Sequence, residues 1–194
     1  MSYLVVLGSI FVVHMLALIS PGPNVLIVTQ VAASQTRRVG MATALGLATG
    51  AAVWSSTALI GLNVVFERLA WLYEGLRILG GMYLVYIGIM MWRTATQPLV
   101  PSSSDELTIR TDWQAFRRGL QTNLTNPKAA IFFSSIFTAF LTPTLPTWVK
   151  LAAVGIIIAD ATIFYVVMAY FFSTRQVQQL YRRSKHWVNR IAGT

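Results

Sequence analysis

Asp160, Lys128 and the pentapeptide Ser20-Pro21-Gly22-Pro23-Asn24 are the residues of this 194-residue chain whose types and settings point to chemistry. Asp160 is an acidic residue inside a long apolar stretch. Holding a charge in hydrocarbon costs about 2.5 kcal/mol or more, so such a group faces a cavity or a partner. A carboxyl there can carry a proton or balance a substrate ammonium. The plainer reading is a protonated Asp hydrogen-bonded between helices, and no partner stands out in the neighbouring stretches.

Residues 1–36 contain no Lys, Arg, Asp or Glu, yet they hold Pro21-Gly22-Pro23. Each proline removes a backbone donor and clashes with the carbonyl one turn back. In lipid, broken backbone survives only where it is packed in protein or lines a wet cavity. A helix restarting at Pro23 offers free amide donors and a positive dipole end to an anion, and Asn24 adds a side-chain amide. The alternative is a kink that only shapes packing. Asn126-Pro127-Lys128 opens a second apolar run in the same manner. Lys128 either pairs with a carboxylate in the same path or snorkels to the interface.

The elements that must position these groups are membrane spans. The chain is 55% apolar and 11% charged, against roughly 25% charged for a soluble domain. At about 20 residues per span, the uncharged runs give spans over 3–31, 41–66, 71–92, 127–142 and 148–172. Residues 1–36 read as a span and not as a signal peptide, because no basic segment precedes the apolar run. The organisation expected is a first transmembrane half over 1–93, a cytoplasmic linker over 94–117 rich in Pro and Ser, and a second half over 118–194 with a basic tail. The fold class is all-α, a polytopic transmembrane helix bundle.

Charge follows topology. Of 15 Lys and Arg residues, Arg37, Arg38, Arg93, Arg110, Arg117, Arg118, Arg175, Arg182, Arg183, Lys185 and Arg190 fall on one side. Arg68, Arg77 and Lys150 fall on the other. The positive-inside rule places the N-terminus outside and the tail inside, so the net charge of +9 reflects topology and not nucleic-acid binding. With no Cys, thiol redox chemistry and cysteine–metal sites are excluded. No cofactor and no metal site are expected, since His14 and His186 stand far apart. His14 reads as a donor between helices.

Gly46 and Gly50 have the spacing that lets helices approach closely. Internal packing is the first reading and a homodimer contact the second. Glu74 and Arg77 are one turn apart and read as a local pair. Trp54, Trp71, Tyr73, Trp92 and Trp148 suit an interfacial belt, and residues 173–194 suit an interfacial amphipathic helix.

Each half opens with a proline-interrupted helix, Pro21-Gly22-Pro23 in one and Asn126-Pro127 in the other. Three spans per half would make the repeats inverted, and paired interruptions mark the binding site of many transporters. With these motifs the chain resembles the LysE/RhtB family of bacterial amino-acid exporters. The resemblance rests on Ser20-Pro21-Gly22-Pro23-Asn24, Arg37-Arg38-Val39-Gly40, Leu79-Gly80-Gly81-Met82-Tyr83-Leu84 with Gly88, Phe116-Arg117-Arg118-Gly119-Leu120, Asn123-Leu124-Thr125-Asn126-Pro127-Lys128 and Asp160.

The resemblance implies proton-driven efflux of threonine, homoserine, homoserine lactone or lysine across the bacterial inner membrane. Partners would be the small-molecule substrate and the lipid bilayer. Members of that family continue into a sixth span, so the implied 3+3 repeat is truncated at Thr194. The competing readings are a truncated, inactive or structural membrane protein, or a metal-ion exporter of a related family. An enzyme is disfavoured, since no nucleophile with a base and no second buried Asp accompanies Asp160.

Overall fold

The computed structural model describes residues 2–20, 22–68, 109, 111–177 and 179, with isolated positions 75, 78, 79, 81, 82, 85, 86 and 89; the side chains of 62–68 are outside that description. Pro21, most of the expected third span, the linker through 108, the Glu74–Arg77 pair, Trp71, Tyr73, Trp92 and the tail beyond 179 lie outside the described residues.

Helix α1 covers Tyr3–Ile19 and buries Val6, Ile10, His14 and Leu18, a single face with a spacing of four. It ends where the sequence demands. A residue before proline is pushed out of helical conformation, and Ser20 is extended at φ −62°, ψ 126° while its N–H still donates to the Leu16 carbonyl at 3.2 Å. Helix α2, Pro23–Ser34, restarts with proline in its first turn after an extended Gly22, the position where a missing N–H costs nothing. The break expected from Pro21-Gly22-Pro23 is thus present as two separate helices.

Helix α3 spans Arg37–Arg68, 32 residues or about 48 Å. Helix α4, Asp112–Leu124, carries Asp112 in its first turn, where an anion suits the dipole. The Thr111 hydroxyl accepts from the Gln114 N–H at 3.2 Å and caps its start. Residues 112–117, given to the linker by the sequence reading, are therefore helical. Helix α5, Pro127–Phe140, has 14 residues, about 21 Å against an apolar bilayer core of about 30 Å. Helix α6, Thr147–Phe172, has 26 residues.

No strand occurs among the described residues, and the protein is an all-α polytopic bundle. Arg37–Gly61 and Thr147–Phe172 are long and apolar enough to cross a bilayer, α1 and α2 together have the length and composition of a broken span or a re-entrant pair, and α5 is a shorter apolar helix. Leu4, Leu16, Ile60, Leu151, Ile163 and Val167 stand more than half exposed, as side chains facing lipid would.

The chain forms two compact units, each discontinuous in sequence. The first comprises Met1–Ser20, Ala51–Ala95 and Leu124–Ala161. Within it, Tyr3 meets Trp148 edge-on at 5.4 Å and His14 meets Asp160 at 3.2 Å, so α1 and α6 run parallel. His14 lies beside Phe132 while Ser20, further along α1, contacts the earlier residue Lys128. Helix α5 is therefore antiparallel to α1, the alternation expected of the first, fourth and fifth spans.

The second unit comprises Pro21–Gly50, Thr96–Asn123 and Thr162–Thr194. Its packing is backbone against backbone. A Cβ on Gly46 would stand 2.1 Å from the Phe116 carbonyl oxygen, and one on Gly119 would stand 2.2 Å from that of Thr43. The two glycines thus let α3 and α4 touch, and Gly50 meets the Asn123 side chain further along. The Gly46–Gly50 spacing serves internal packing, the first of its two readings. Arg37 fastens α3 to α6 by donating to the Ser173 hydroxyl at 3.2 Å and stacking 4.4 Å from the Tyr170 ring centre. Arg38 pairs with Asp112 at the exposed start of α4.

Candidate functional site

In the first unit two polar contacts sit among apolar side chains. One joins His14 Nδ1 and Asp160 Oδ2 at 3.2 Å. Only 2% of His14 and 5% of Asp160 is exposed, so neither group is solvated by bulk water. The imidazole is stacked 5.9 Å from Phe132 and tilted 5.8 Å from Phe133. Helix periodicity builds this pair. His14 follows Ile10 by one turn on the buried face of α1, and Asp160 lies beside Ile157 and Ala161 on the buried face of α6. A histidine and a carboxyl in contact can share one proton, resting on either group. Buried within a membrane protein, such a pair can exchange that proton with whatever reaches it.

The sequence supplied each half of this contact and missed their union. In the sequence Asp160 shows no partner in the neighbouring stretches, and His14 reads only as a donor between helices. The usable signal was the spacing of Val6, Ile10, His14 and Leu18, which puts His14 on an inward face.

The second contact lies at the breaks. The Lys128 ammonium donates to the Ser20 hydroxyl at 2.8 Å. Ser20 is buried at the end of α1, and Lys128 is half-buried in the first turn of α5. Asn126, also buried, accepts the Lys128 backbone N–H through Oδ1 at 3.0 Å and so caps α5. This fixes the backbone from which the Lys128 stem reaches across to α1. Ser20, Asn126, Pro127 and Lys128 are thereby gathered in one place. His14 and Ser20 are six positions apart on α1, about 9 Å along its axis.

The remaining expected residues belong to the second unit. Gly22 and Pro23 form the start of α2. The Asn24 amide donates to the Tyr165 hydroxyl at 3.2 Å, with Tyr165 almost wholly buried. Tyr165 gave no signal in the sequence beyond lying in the fifth span.

Apolar helices long enough to cross a bilayer, with the break between α1 and α2, define a multi-pass helical membrane protein. A family model described as LysE type translocator matches residues 15–194, and the chain belongs to that family. The "Threonine efflux protein" of Escherichia coli K12 is 34% identical over 186 residues, covering 95% of this chain and 90% of that protein. An "Uncharacterized membrane protein" of Haemophilus influenzae is 30% identical over 95% of this chain and 89% of its own length. The "Homoserine/homoserine lactone efflux protein" of Salmonella typhimurium is 28% identical over 141 residues, 71% of this chain and 66% of that protein. No solved structure matches.

Proposed function

We propose that the protein exports amino acids of the threonine and homoserine class across the bacterial inner membrane, in exchange for protons. The observation that carries this reading is the buried His14–Asp160 contact. An ionisable pair inside a membrane helix bundle is expensive to keep and marks a proton or ion path by default. Family membership and the similarity to the threonine efflux protein support the cargo.

In the first unit the substrate path runs past Ser20, Asn126, Pro127 and Lys128 toward Asp160, which takes up the proton that drives export. Pro21, Gly22, Pro23 and Asn24 are the expected substrate-handling residues of the second unit taken by itself, where Tyr165 orients the Asn24 amide. The N-terminus faces outside and the tail inside, because the basic residues segregate that way.

The test is an accumulation and resistance assay with a panel of amino acids, in cells lacking their own exporters. Expression should lower intracellular threonine or homoserine and raise resistance to it. No change for any amino acid contradicts the assignment. Orientation is read with single cysteines. Thr144→Cys, in the exposed turn after α5, should react with a membrane-impermeant thiol reagent in intact cells, and Thr111→Cys should not. The reverse pattern overturns the topology.

A further inference from the structure

We propose that Lys128 holds the substrate's carboxylate, so the protein exports amino acids bearing a free carboxylate and discriminates against their esters and lactones. This deepens the exporter reading and rests on it.

The charge on Lys128 is unbalanced among the described residues. Among the described residues two acids have placed side chains. Asp112 is paired with Arg38 and Asp160 with His14. Lys128 therefore has no described carboxylate partner. Its side-chain bond goes to the Ser20 hydroxyl, a neutral acceptor that satisfies one of three ammonium donors. A half-buried ammonium near the start of an apolar helix is poorly compensated by one hydroxyl.

Its surroundings add to the same sign. Lys128 sits in the first turn of α5, where the helix dipole is positive. Asn126 Oδ1 accepts the Lys128 N–H, but no acidic side chain stands in the first turn of α5. The Ser20 hydroxyl accepts from Lys128 and keeps its own O–H to donate. One carboxylate can therefore take the ammonium on one oxygen and the serine O–H on the other. Each bond is charge-assisted and stronger than a neutral one.

A lactone or methyl ester presents a neutral carbonyl to the same two donors. It forfeits the ion pair and leaves the Lys128 charge uncompensated inside the site. Polar sites reject analogues that leave a buried polar group unpaired far better than apolar pockets reject an extra methylene. The expected discrimination is about tenfold or more, the scale of one hydrogen bond to a charged group.

The experiment is counterflow of labelled threonine in proteoliposomes containing the full chain, competed by unlabelled homoserine, homoserine lactone and threonine methyl ester. Homoserine should compete, and the lactone and ester should need about tenfold or more higher concentration. Lys128→Met keeps most of the stem and removes the charge, so threonine counterflow should fall about tenfold or more, and in the flux that remains homoserine and its lactone should compete equally. Lys128→Arg should restore part of that preference.

Equal competition by homoserine and its lactone in the wild type overturns the proposal while leaving the exporter reading intact. So does an unchanged preference in Lys128→Met. Should Lys128→Met fail to insert, the wild-type competition series decides alone. Absence of threonine and homoserine counterflow in the wild type overturns the exporter reading itself.

Discussion

The contact between α3 and α4 and the contact among α1, α5 and α6 solve one problem in opposite ways. Both bring helices together where lipid offers no hydrophobic drive for association. In the second unit the solution is subtraction. Gly46 and Gly119 remove side chains until the Phe116 and Thr43 carbonyls lie against the facing helix. In the first unit α1 meets α5 where His14 lies against Phe132 and Phe133, Ile136 and Phe137 are buried further along α5, and Asp160 of α6 reaches His14. Small residues suffice to hold α3 against α4 in the second unit without a buried ionisable pair among the described residues. The cost of burying His14 with Asp160 is understandable if the pair moves protons.

Breaking the glycine contact should have the largest effect. Gly46→Leu places carbons where the Phe116 carbonyl already is. Overpacking costs about 1–3 kcal/mol even where side chains can yield, and here backbone opposes backbone. The expected outcome is loss of monodisperse protein on detergent extraction and size exclusion. A well-folded Gly46→Leu protein would show that the helices do not meet there.

Asp160→Asn should separate folding from transport. The amide oxygen can still accept from His14, so thermal melting in detergent should move little, while gradient-driven export should fall about tenfold or more, as expected when a group that changes charge is lost. A collapse in melting temperature with the residual protein fully active would return the pair to a structural role.

His14→Gln should be milder. Glutamine keeps a donor but cannot store a proton, so export should fall by less than in Asp160→Asn, with its pH profile altered. An unchanged pH profile would leave Asp160 as the carrier without His14.

Gly155→Ala should do least. Gly155 lies in α6 with nothing within 4 Å of an added Cβ. The substitution should be neutral or stabilise by up to about 1 kcal/mol through helix propensity. A destabilised Gly155→Ala would reveal a contact on that face, a homodimer interface among the candidates.

The sequence was most legible where local physics decides. Pro21-Gly22-Pro23 required the break between α1 and α2, and Thr147–Phe172 differs by one residue at its start from the span read off the uncharged run. Gly46 and Gly50 announced a close contact because a missing Cβ has few other uses in a span. The α4 boundary was less legible, since the Pro- and Ser-rich stretch upstream masks a helix whose start depends on the Thr111 hydroxyl.

Partnerships were least legible. His14 and Asp160 are 146 positions apart, and nothing in the period of either helix says which faces meet. The same holds for Ser20 with Lys128 and Asn24 with Tyr165, separated by 108 and 141 positions. Periodicity shows which side of a helix turns inward, while the opposing helix depends on how the whole bundle packs.

The most direct measurement follows protons and substrate together. Proteoliposomes containing the protein and a pH-sensitive dye would be loaded with threonine and diluted into threonine-free buffer. Threonine leaving the wild-type vesicles should draw protons in and acidify the lumen, and Asp160→Asn vesicles should show no such acidification. Acidification by Asp160→Asn at the wild-type rate, with the same threonine efflux, would contradict the account.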